Sequence, residues 1–266
     1  LTLLIDLLLS MVGCFGNALV ILATMTSARL RNRCGILICI LAVADFVICI
    51  FLVHVHVMML SNRYSLRNDE CYLYTFYGLF AINIQSGTDL VLSTDRLLAV
   101  MNPIKYTLLP VLLYIVMLVG VLIYAIVSVC LPPTAYSGNS RLVWITANFA
   151  VSVMVTSIYG LAHVKCRNIK SNKRSMERIN RLFNSLSIIT AIYTSTWFIT
   201  VTVLLFMEVT FNARINRQLG WLVVINATMK FFVYYWRAFA IHAGSRRNPP
   251  LKALSRLGKM VDQWAG

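Results

Sequence analysis

Seven apolar runs constrain the fold of this chain more than any other feature. They lie at 2–25, 36–60, 72–101, 108–131, 142–164, 182–207 and 218–238. Each is long enough to cross the hydrocarbon core of a bilayer as a helix, which takes about 20 residues. Backbone polar groups in lipid must be satisfied within each span, so these runs predict an all-α fold, a bundle of seven transmembrane helices. Composition agrees, because the chain is 59% hydrophobic and only 12% charged.

The basic residues indicate how the bundle is oriented. A net charge of +15 would suit a nucleic-acid partner, but most Lys and Arg lie in the first, third and fifth connectors and in the tail from Arg237. Positively charged connectors stay on the cytoplasmic side, so we expect an extracellular N-terminus and a cytoplasmic C-terminus. The expected partner of the basic residues is the lipid bilayer and not a nucleic acid. The first residue is Leu and no signal peptide is visible, which we interpret as a trimmed start.

The seven-helix domain is expected to cover 1–240, followed by a basic cytoplasmic tail over 241–266. In the tail, Leu251, Leu254 and Leu257 fall near one helical face. An amphipathic helix of this kind could lie on anionic lipid, and a merely solvated helix is the alternative.

Two of the seven cysteines map to the predicted extracellular ends of spans. Cys71 begins the third span and Cys130 ends the fourth, and only that side of the membrane is oxidising. We therefore predict one disulfide between Cys71 and Cys130, with two free thiols as the alternative. The sequence contains no Cys/His cluster with zinc spacing, so no metal or cofactor is expected.

Several short motifs follow one another in a fixed order along the chain. They are Gly16-Asn17, "LAVAD" ending at Asp45, Cys71 placed 25 residues before Arg96, "DRLLAVMNPIKY" from Asp95 to Tyr106, Tyr159, Trp197, and "FVYYWR" from Phe232 to Arg237. Together they resemble the signatures of rhodopsin-like (class A) G protein-coupled receptors. The "YYWR" wording is most like the nematode serpentine chemoreceptors of class SX.

This resemblance implies a switch at the cytoplasmic face. In such receptors the Asp-Arg pair, here Asp95 and Arg96, holds the arginine until activation frees it for a heterotrimeric G protein. Pro103, Tyr159 and Tyr234 match further positions of the coupling machinery. The guanidinium is always charged and offers a planar set of donors, which suits this role. The alternative is an interfacial ion pair that only anchors the third span.

The chain departs from the family pattern in its last three spans. None of them contains a proline, although receptors of this type usually have a kink in each. Ile199 stands where a proline is expected two residues after Trp197, and Lys230-Phe231 replaces an Asn-Pro pair. Sharp kinks need a specific cause, so the hinge of the sixth helix is not evident from the sequence.

Charged residues inside the spans predict a polar network. Charges at mid-bilayer are costly and usually face partners or water inside a bundle. In the receptor fold Asp45 and Lys230 approach each other, and we expect Lys230 to pair with Asp45 and to be shared with Asp89. Gln85, one turn before Asp89, could add a hydrogen bond, and Asn17 completes the network. Alternatively, Lys230 extends to the inner interface.

The resemblance places an extracellular small-molecule ligand in the outer third of the bundle. Amine receptors have an aspartate at the position of Gly78, so a monoamine agonist is not expected. Apolar residues with a few hydrogen-bonding groups suit a small neutral or weakly polar compound. The pocket residues predicted here are Gly78, Leu79, Ile82, Asn83, Trp197 and Thr200.

The function predicted from the sequence is a chemosensory G protein-coupled receptor without enzymatic activity. Its expected location is the plasma membrane, as a multi-pass protein, with sensory cilia as a specialised site. A neuropeptide receptor of the same fold is one alternative. A transporter built around Asp45, Asp89 and Lys230 is the other, although transporters commonly contain internal repeats and none is visible.

Overall fold

A computed structural model of the chain describes residues 2–26, 33–61, 68–101, 106, 108–130, 139–168, 194–210, 225 and 227–228. These residues form helices α1 (Thr2–Thr26), α2 (Arg33–Leu60), α3 (Asn68–Met101), α4 (Val111–Cys130), α5 (Asn139–Asn168) and α6 (Ile199–Thr210). A π-helical turn, Thr194–Phe198, leads directly into α6. Over the described ranges the chain contains no strand. The helices fall on the predicted spans, and α2, α3, α5 and α6 extend a few residues beyond the predicted ends.

Four of the described helices are long and apolar enough to cross a membrane: Leu3–Thr26, Arg33–Leu60, Val111–Val129 and Leu142–Lys165. Helix α3 is not among them, because its middle contains a row of polar side chains. Gln85, Ser86, Thr88 and Asp89 are all buried there. The helix is therefore suited to the interior of a bundle rather than to direct contact with lipid.

Helix α3 lies at the centre of the described bundle. It packs against α2, α4 and α5, while α1 packs against α2, and α5 against the π-helical turn and α6. One core cluster joins α2, α3, α5 and α6 around Ile82, Val155 and Trp197. A second joins α2, α3 and α4 around Leu41, Leu92 and Val121.

Gly87 and Gly13 permit close contacts between helices. A Cβ at Gly87 of α3 would lie 2.7 Å from a methyl carbon of Val121 on α4. A Cβ at Gly13 of α1 would lie 2.7 Å from the sulfur of Cys49 and 2.9 Å from the hydroxyl of Thr228. Larger side chains would force these helices apart, so the glycines set the spacing of the bundle.

The polarity of the bundle is inverted relative to a water-soluble protein. Large apolar residues of α4, such as Leu112, Val116 and Ile123, are more than half exposed on its outer face. Buried inside are the carboxylates of Asp6, Asp45 and Asp95, among other polar groups. An apolar exterior around a polar interior is the arrangement that a lipid environment favours.

Two histidines in the C-terminal part of α2 join this helix to its neighbours. His56 lies 3.7 Å from the Asp6 carboxylate of α1, and its other ring nitrogen is 2.5 Å from the carbonyl of Leu52. His54 faces the opposite neighbour, with a ring nitrogen 2.9 Å from the Tyr77 hydroxyl of α3. The two side chains therefore lie on different faces, as their spacing of two residues requires.

Candidate functional site

The first candidate site is formed where α2 and α4 begin and α3 ends. Asp95 lies near the end of α3 with its side chain completely buried. The Tyr106 hydroxyl donates a hydrogen bond of 3.0 Å to one carboxylate oxygen, Oδ1. The Tyr114 hydroxyl of α4 donates to the same oxygen at 2.5 Å. A buried carboxylate needs such donors, because an unpaired charge in a low-dielectric interior is costly.

Arg96 lies between Asp95 and α2. Its Nε is 3.8 Å from the other carboxylate oxygen of Asp95, Oδ2, which is ion-pair distance rather than a hydrogen bond. Its terminal nitrogen Nη2 contacts the sulfur of Cys34 in the first turn of α2. The side chain retains about one fifth of its exposure. The guanidinium is therefore held by two helices and still reachable from one end of the bundle.

Tyr106 keeps its proton in this setting. Burial, together with the negative charge of Asp95, raises the pKa of Tyr106 above its ordinary value. Its phenol therefore remains a hydrogen-bond donor over the physiological pH range. Its carbonyl accepts a hydrogen bond of 3.3 Å from the Leu109 amide, which ties it to the residues leading into α4.

The C-terminal half of α5 approaches the same end of α3. Ala162 is buried against Leu97 and Val100, one turn beyond Tyr159. Tyr159 itself is half-buried and packs against both core clusters. The structure thus brings Tyr159 to the side of α3 that carries Arg96, while Pro103 and Tyr234 lie outside the described residues.

The structure brings together two residues of the predicted polar network, Gln85 and Asp45. The side-chain amide of Gln85 donates a hydrogen bond of 2.6 Å to the Asp45 carboxylate, which joins α3 to α2. Asp89 is buried one turn further along α3. The Asn17 amide donates a 3.3 Å hydrogen bond to the carbonyl of Ala227, so α1 is joined to the segment that precedes Lys230. Lys230 lies outside the described residues, and its pairing with Asp45 and Asp89 remains a prediction.

A second candidate site lies between α3, α5 and the π-helical turn. Asn83 is fully buried, and its amide nitrogen donates to the carbonyl of Leu79 at 2.9 Å. The Trp144 indole of α5 donates to the amide oxygen of Asn83 at 3.3 Å. Ile82 belongs to the adjoining apolar core. Three predicted pocket residues of α3, Leu79, Ile82 and Asn83, thus lie next to α5.

Two buried polar atoms in this region have no hydrogen-bond partner. They are the indole nitrogen of Trp197 in the π-helical turn and the amide oxygen of Asn148 on α5. Trp197 is 2% exposed and Asn148 is fully buried. The Asn148 amide nitrogen donates to the Trp144 carbonyl at 3.0 Å, and this fixes its orientation because a carbonyl only accepts. Thr200 donates instead to the Thr196 carbonyl, at 2.7 Å.

Gly78 lies on a different side of α3 from this region. A Cβ built there would overlap the ring of Phe51 on α2. Phe51 thus occupies the space into which a side chain at this position would point. The structure leaves no room there for the aspartate of an amine receptor, so Gly78 contributes a close contact between α3 and α2.

Comparison with known protein families decides the identity of this bundle. A family model described as "Serpentine type 7TM GPCR chemoreceptor Srsx" matches residues 10–240. The chain belongs to the Srsx family. The prediction from the motifs is thereby confirmed, as is the prediction of an all-α bundle of seven transmembrane helices. This is a family of multi-pass membrane receptors rather than of enzymes.

Other predictions for this Srsx chain remain predictions. The side chains of Cys71 and Cys130 lie outside the described residues, so their disulfide is untested. Four cysteines of the described part, Cys14, Cys34, Cys39 and Cys49, are free thiols. Within the same part, no group of three or more His, Cys, Asp or Glu side chains could hold a metal ion.

Sequence reasoning missed four residues of the two candidate sites, and it included a fifth, Tyr106, only as the last residue of the motif from Asp95. Cys34 and Tyr114 hold the Asp95–Arg96 pair, and Trp144 and Asn148 border the pocket region. A weak signal existed for three of them, since Tyr114, Trp144 and Asn148 are polar-tipped side chains within otherwise apolar runs. Cys34 gave no such signal, because a cysteine at a helix end is compatible with many environments.

Proposed function

We propose that this Srsx protein is a G protein-coupled chemoreceptor of the plasma membrane, with sensory cilia as its specialised location. Its N-terminus faces the outside. Binding of a small molecule between α3, α5 and α6 shifts the equilibrium between two packings of the bundle. The packing favoured by ligand opens the cytoplasmic end near Arg96 to a heterotrimeric G protein.

The arrangement of Arg96 is the observation that carries this proposal. Its charged group lies at one end of the bundle, held by a buried carboxylate and by α2, and it keeps partial access to solvent. The ion-pair distance of 3.8 Å and the contact with a neutral thiol are weak restraints for a guanidinium. A partner that offers carbonyl or carboxylate oxygens could therefore replace them. The basic connector at 165–181 favours an acidic partner on the same side.

The pocket region supports a mainly apolar ligand with one hydroxyl group. Trp197 offers a buried donor within the apolar core, and Asn148 offers a buried acceptor on the face of α5 that carries Ile145 and Val155 of that core. A hydroxyl can accept from the first and donate to the second, whereas a ketone can only accept. A peptide fits this buried region less well, and the short connector at 132–141 adds little extracellular surface.

The proposal is tested by G protein activation. The chain is reconstituted in lipid nanodiscs, and nucleotide exchange is measured on a panel of heterotrimeric G proteins. The compounds are small alcohols, each paired with the ketone of the same carbon skeleton. We expect at least one alcohol to accelerate exchange on one G protein more strongly than its ketone.

Arg96→Ala is expected to reduce this response by more than about tenfold, because truncating a charged interface group costs about 2 kcal/mol or more. Arg63→Ala, in a connector predicted to face outside, is the matched control and should respond like the parent. Exchange that stays equal in the Arg96→Ala and parent proteins would contradict the proposed coupling site. Equal responses to alcohol and ketone would contradict the proposed ligand class.

A further inference from the structure

Tyr114 of α4 connects all three helices at the Asp95–Arg96 site. The residue is 5% exposed and lies in the first turn of its helix. Its hydroxyl donates the 2.5 Å hydrogen bond to Oδ1 of Asp95 on α3. The guanidinium of Arg33, the first residue of α2, lies over its ring at 5.6 Å from the centroid. A single side chain thus contacts an anion through its hydroxyl and a cation through its face.

The hydrogen bonds to one carboxylate oxygen determine where the other oxygen points. Tyr114 and Tyr106 both donate to Oδ1, so rotation of the carboxylate would break two hydrogen bonds at once. Oδ2 has no hydrogen-bond donor and faces Nε of Arg96 at 3.8 Å. The carboxylate is therefore held in the orientation that presents a negative charge to the arginine.

The orientation of the Asp95 carboxylate also determines where the terminal nitrogens of Arg96 point. The guanidinium is rigid and planar, so attraction of Nε toward Asp95 also directs the terminal nitrogens. One of them, Nη2, contacts Cys34 of α2. Cys34 follows Arg33, the residue that lies over the Tyr114 ring. The start of α2 is thus connected to Tyr114 both directly, through Arg33, and indirectly, through Asp95 and Arg96.

We propose that Tyr114 is a positioning residue of the switch: it orients Asp95 so that Arg96 stays docked on Cys34 of α2. Loss of its hydroxyl leaves the carboxylate with only the hydrogen bond from Tyr106, so the carboxylate rotates more easily and the guanidinium leaves the thiol more often. The link to signalling rests on the proposed function, whereas the link to Cys34 does not. Cys34 therefore provides a readout of docking that is independent of any G protein.

The experiment measures how fast Cys34 reacts with a maleimide in the full-length chain in nanodiscs. Peptide mass spectrometry follows each cysteine, with Cys14, Cys39 and Cys49 as internal references. Tyr114→Phe removes only the hydroxyl and keeps the ring beneath Arg33. We expect Cys34 to react about fivefold faster in this variant, the factor that corresponds to the net loss of one hydrogen bond.

Tyr124→Phe is the matched control, because it removes a buried phenol hydroxyl from the same helix ten residues away. It should leave the rate at Cys34 unchanged. If Tyr114→Phe does not fold, Tyr106→Phe is used instead. It removes the other hydrogen bond to Oδ1 of Asp95 and should also accelerate the reaction of Cys34 with maleimide. A parental rate at Cys34 in the folded variant overturns the proposal, as does an equal acceleration in Tyr124→Phe.

Basal nucleotide exchange is recorded on the same samples. Faster labelling with raised basal exchange supports both the positioning role and the coupling role of Arg96. Faster labelling without any change in exchange supports the positioning role of Tyr114 and counts against the proposed coupling. Failure of the positioning role of Tyr114 can therefore be distinguished from failure of the proposed G protein coupling.

Discussion

Single side chains in this bundle gain their importance from the cost of burying charge. Asp45 is 1% exposed on α2, and the 2.6 Å hydrogen bond from Gln85 compensates part of that cost. The hydrogen bonds from the hydroxyls of Tyr106 and Tyr114 compensate part of the cost of burying Asp95 in the same way. In both cases a neutral side chain of a neighbouring helix donates a hydrogen bond to the carboxylate, Gln85 of α3 to Asp45 and Tyr114 of α4 to Asp95. Each carboxylate therefore specifies which helices lie side by side.

We predict that Gln85→Met lowers the free energy of unfolding by about 1.5–3 kcal/mol, the contribution of a hydrogen bond to a charged group. Methionine has a similar length but offers no donor, so Asp45 loses this bond while its other contacts remain. The measurement is a denaturation series of the purified chain in one detergent. Ile84→Met, at the adjacent position of α3, is the control and should cost less than about 1.5 kcal/mol. Equal losses in the two variants would show that the hydrogen bond adds nothing to stability.

At the scale of helices, the π-helical turn at Thr194–Phe198 supplies a feature that the sequence did not reveal. Because the sixth span contains no proline, the sequence gives no residue that would explain a kink in this helix. A π-helical turn interrupts the regular hydrogen-bond ladder and is itself a recognised cause of kinks. It contains Trp197 and ends immediately before Ile199, where the family proline is missing. The helix is therefore irregular next to the position where the family has its proline, and the irregularity comes from a π-helical turn of the backbone instead.

We predict that Ile199→Pro is tolerated better than a proline one turn later. A proline in a regular helix interior costs about 3 kcal/mol or more, because it removes a hydrogen bond and its ring clashes with a preceding carbonyl. The π-helical turn already displaces the carbonyls that precede Ile199, so only the hydrogen bond is lost there. Val203→Pro in the regular part of α6 should therefore lower the melting temperature clearly more than Ile199→Pro. Equal losses would indicate that the turn does not relieve the helix at this position.

The helices were predictable from the sequence to a greater extent than the contacts between them. Long apolar runs indicate spans directly, because length and hydropathy suffice. Contacts between side chains of different helices are harder to predict. Nothing in the sequence places Tyr114 beside Asp95 or Cys34 beside Arg96, because these pairs are 19 and 62 residues apart and meet only through helix packing. A π-helical turn is equally hard to predict, because one extra residue per turn leaves no distinct composition.

At the scale of the whole molecule, one distribution of polarity unites these features. Apolar residues cover the outside of α4, while α3 brings a row of polar side chains into the centre. A chain of this kind is stable only where lipid surrounds it, and its internal hydrogen bonds are protected from competing water. The proposed ligand binding and the proposed G protein coupling both use this buried polar row, which runs along α3 from Asn83 to Asp95.

The seven-helix fold of the family makes a prediction about the chain ends, because an odd number of spans places them on opposite sides of the membrane. We expect an epitope tag before Thr2 to be stained on intact cells, and a tag after Gly266 to be stained only after permeabilisation. The expected direction follows from the basic connectors, which the positive-inside rule predicts to remain in the cytoplasm. A tag inserted in the connector at 165–181, which carries most charge, is the internal control and should behave like the C-terminal tag. Staining of both ends from one side would require an even number of spans, and a C-terminal tag exposed outside would place Arg96 on the wrong side of the membrane for a G protein.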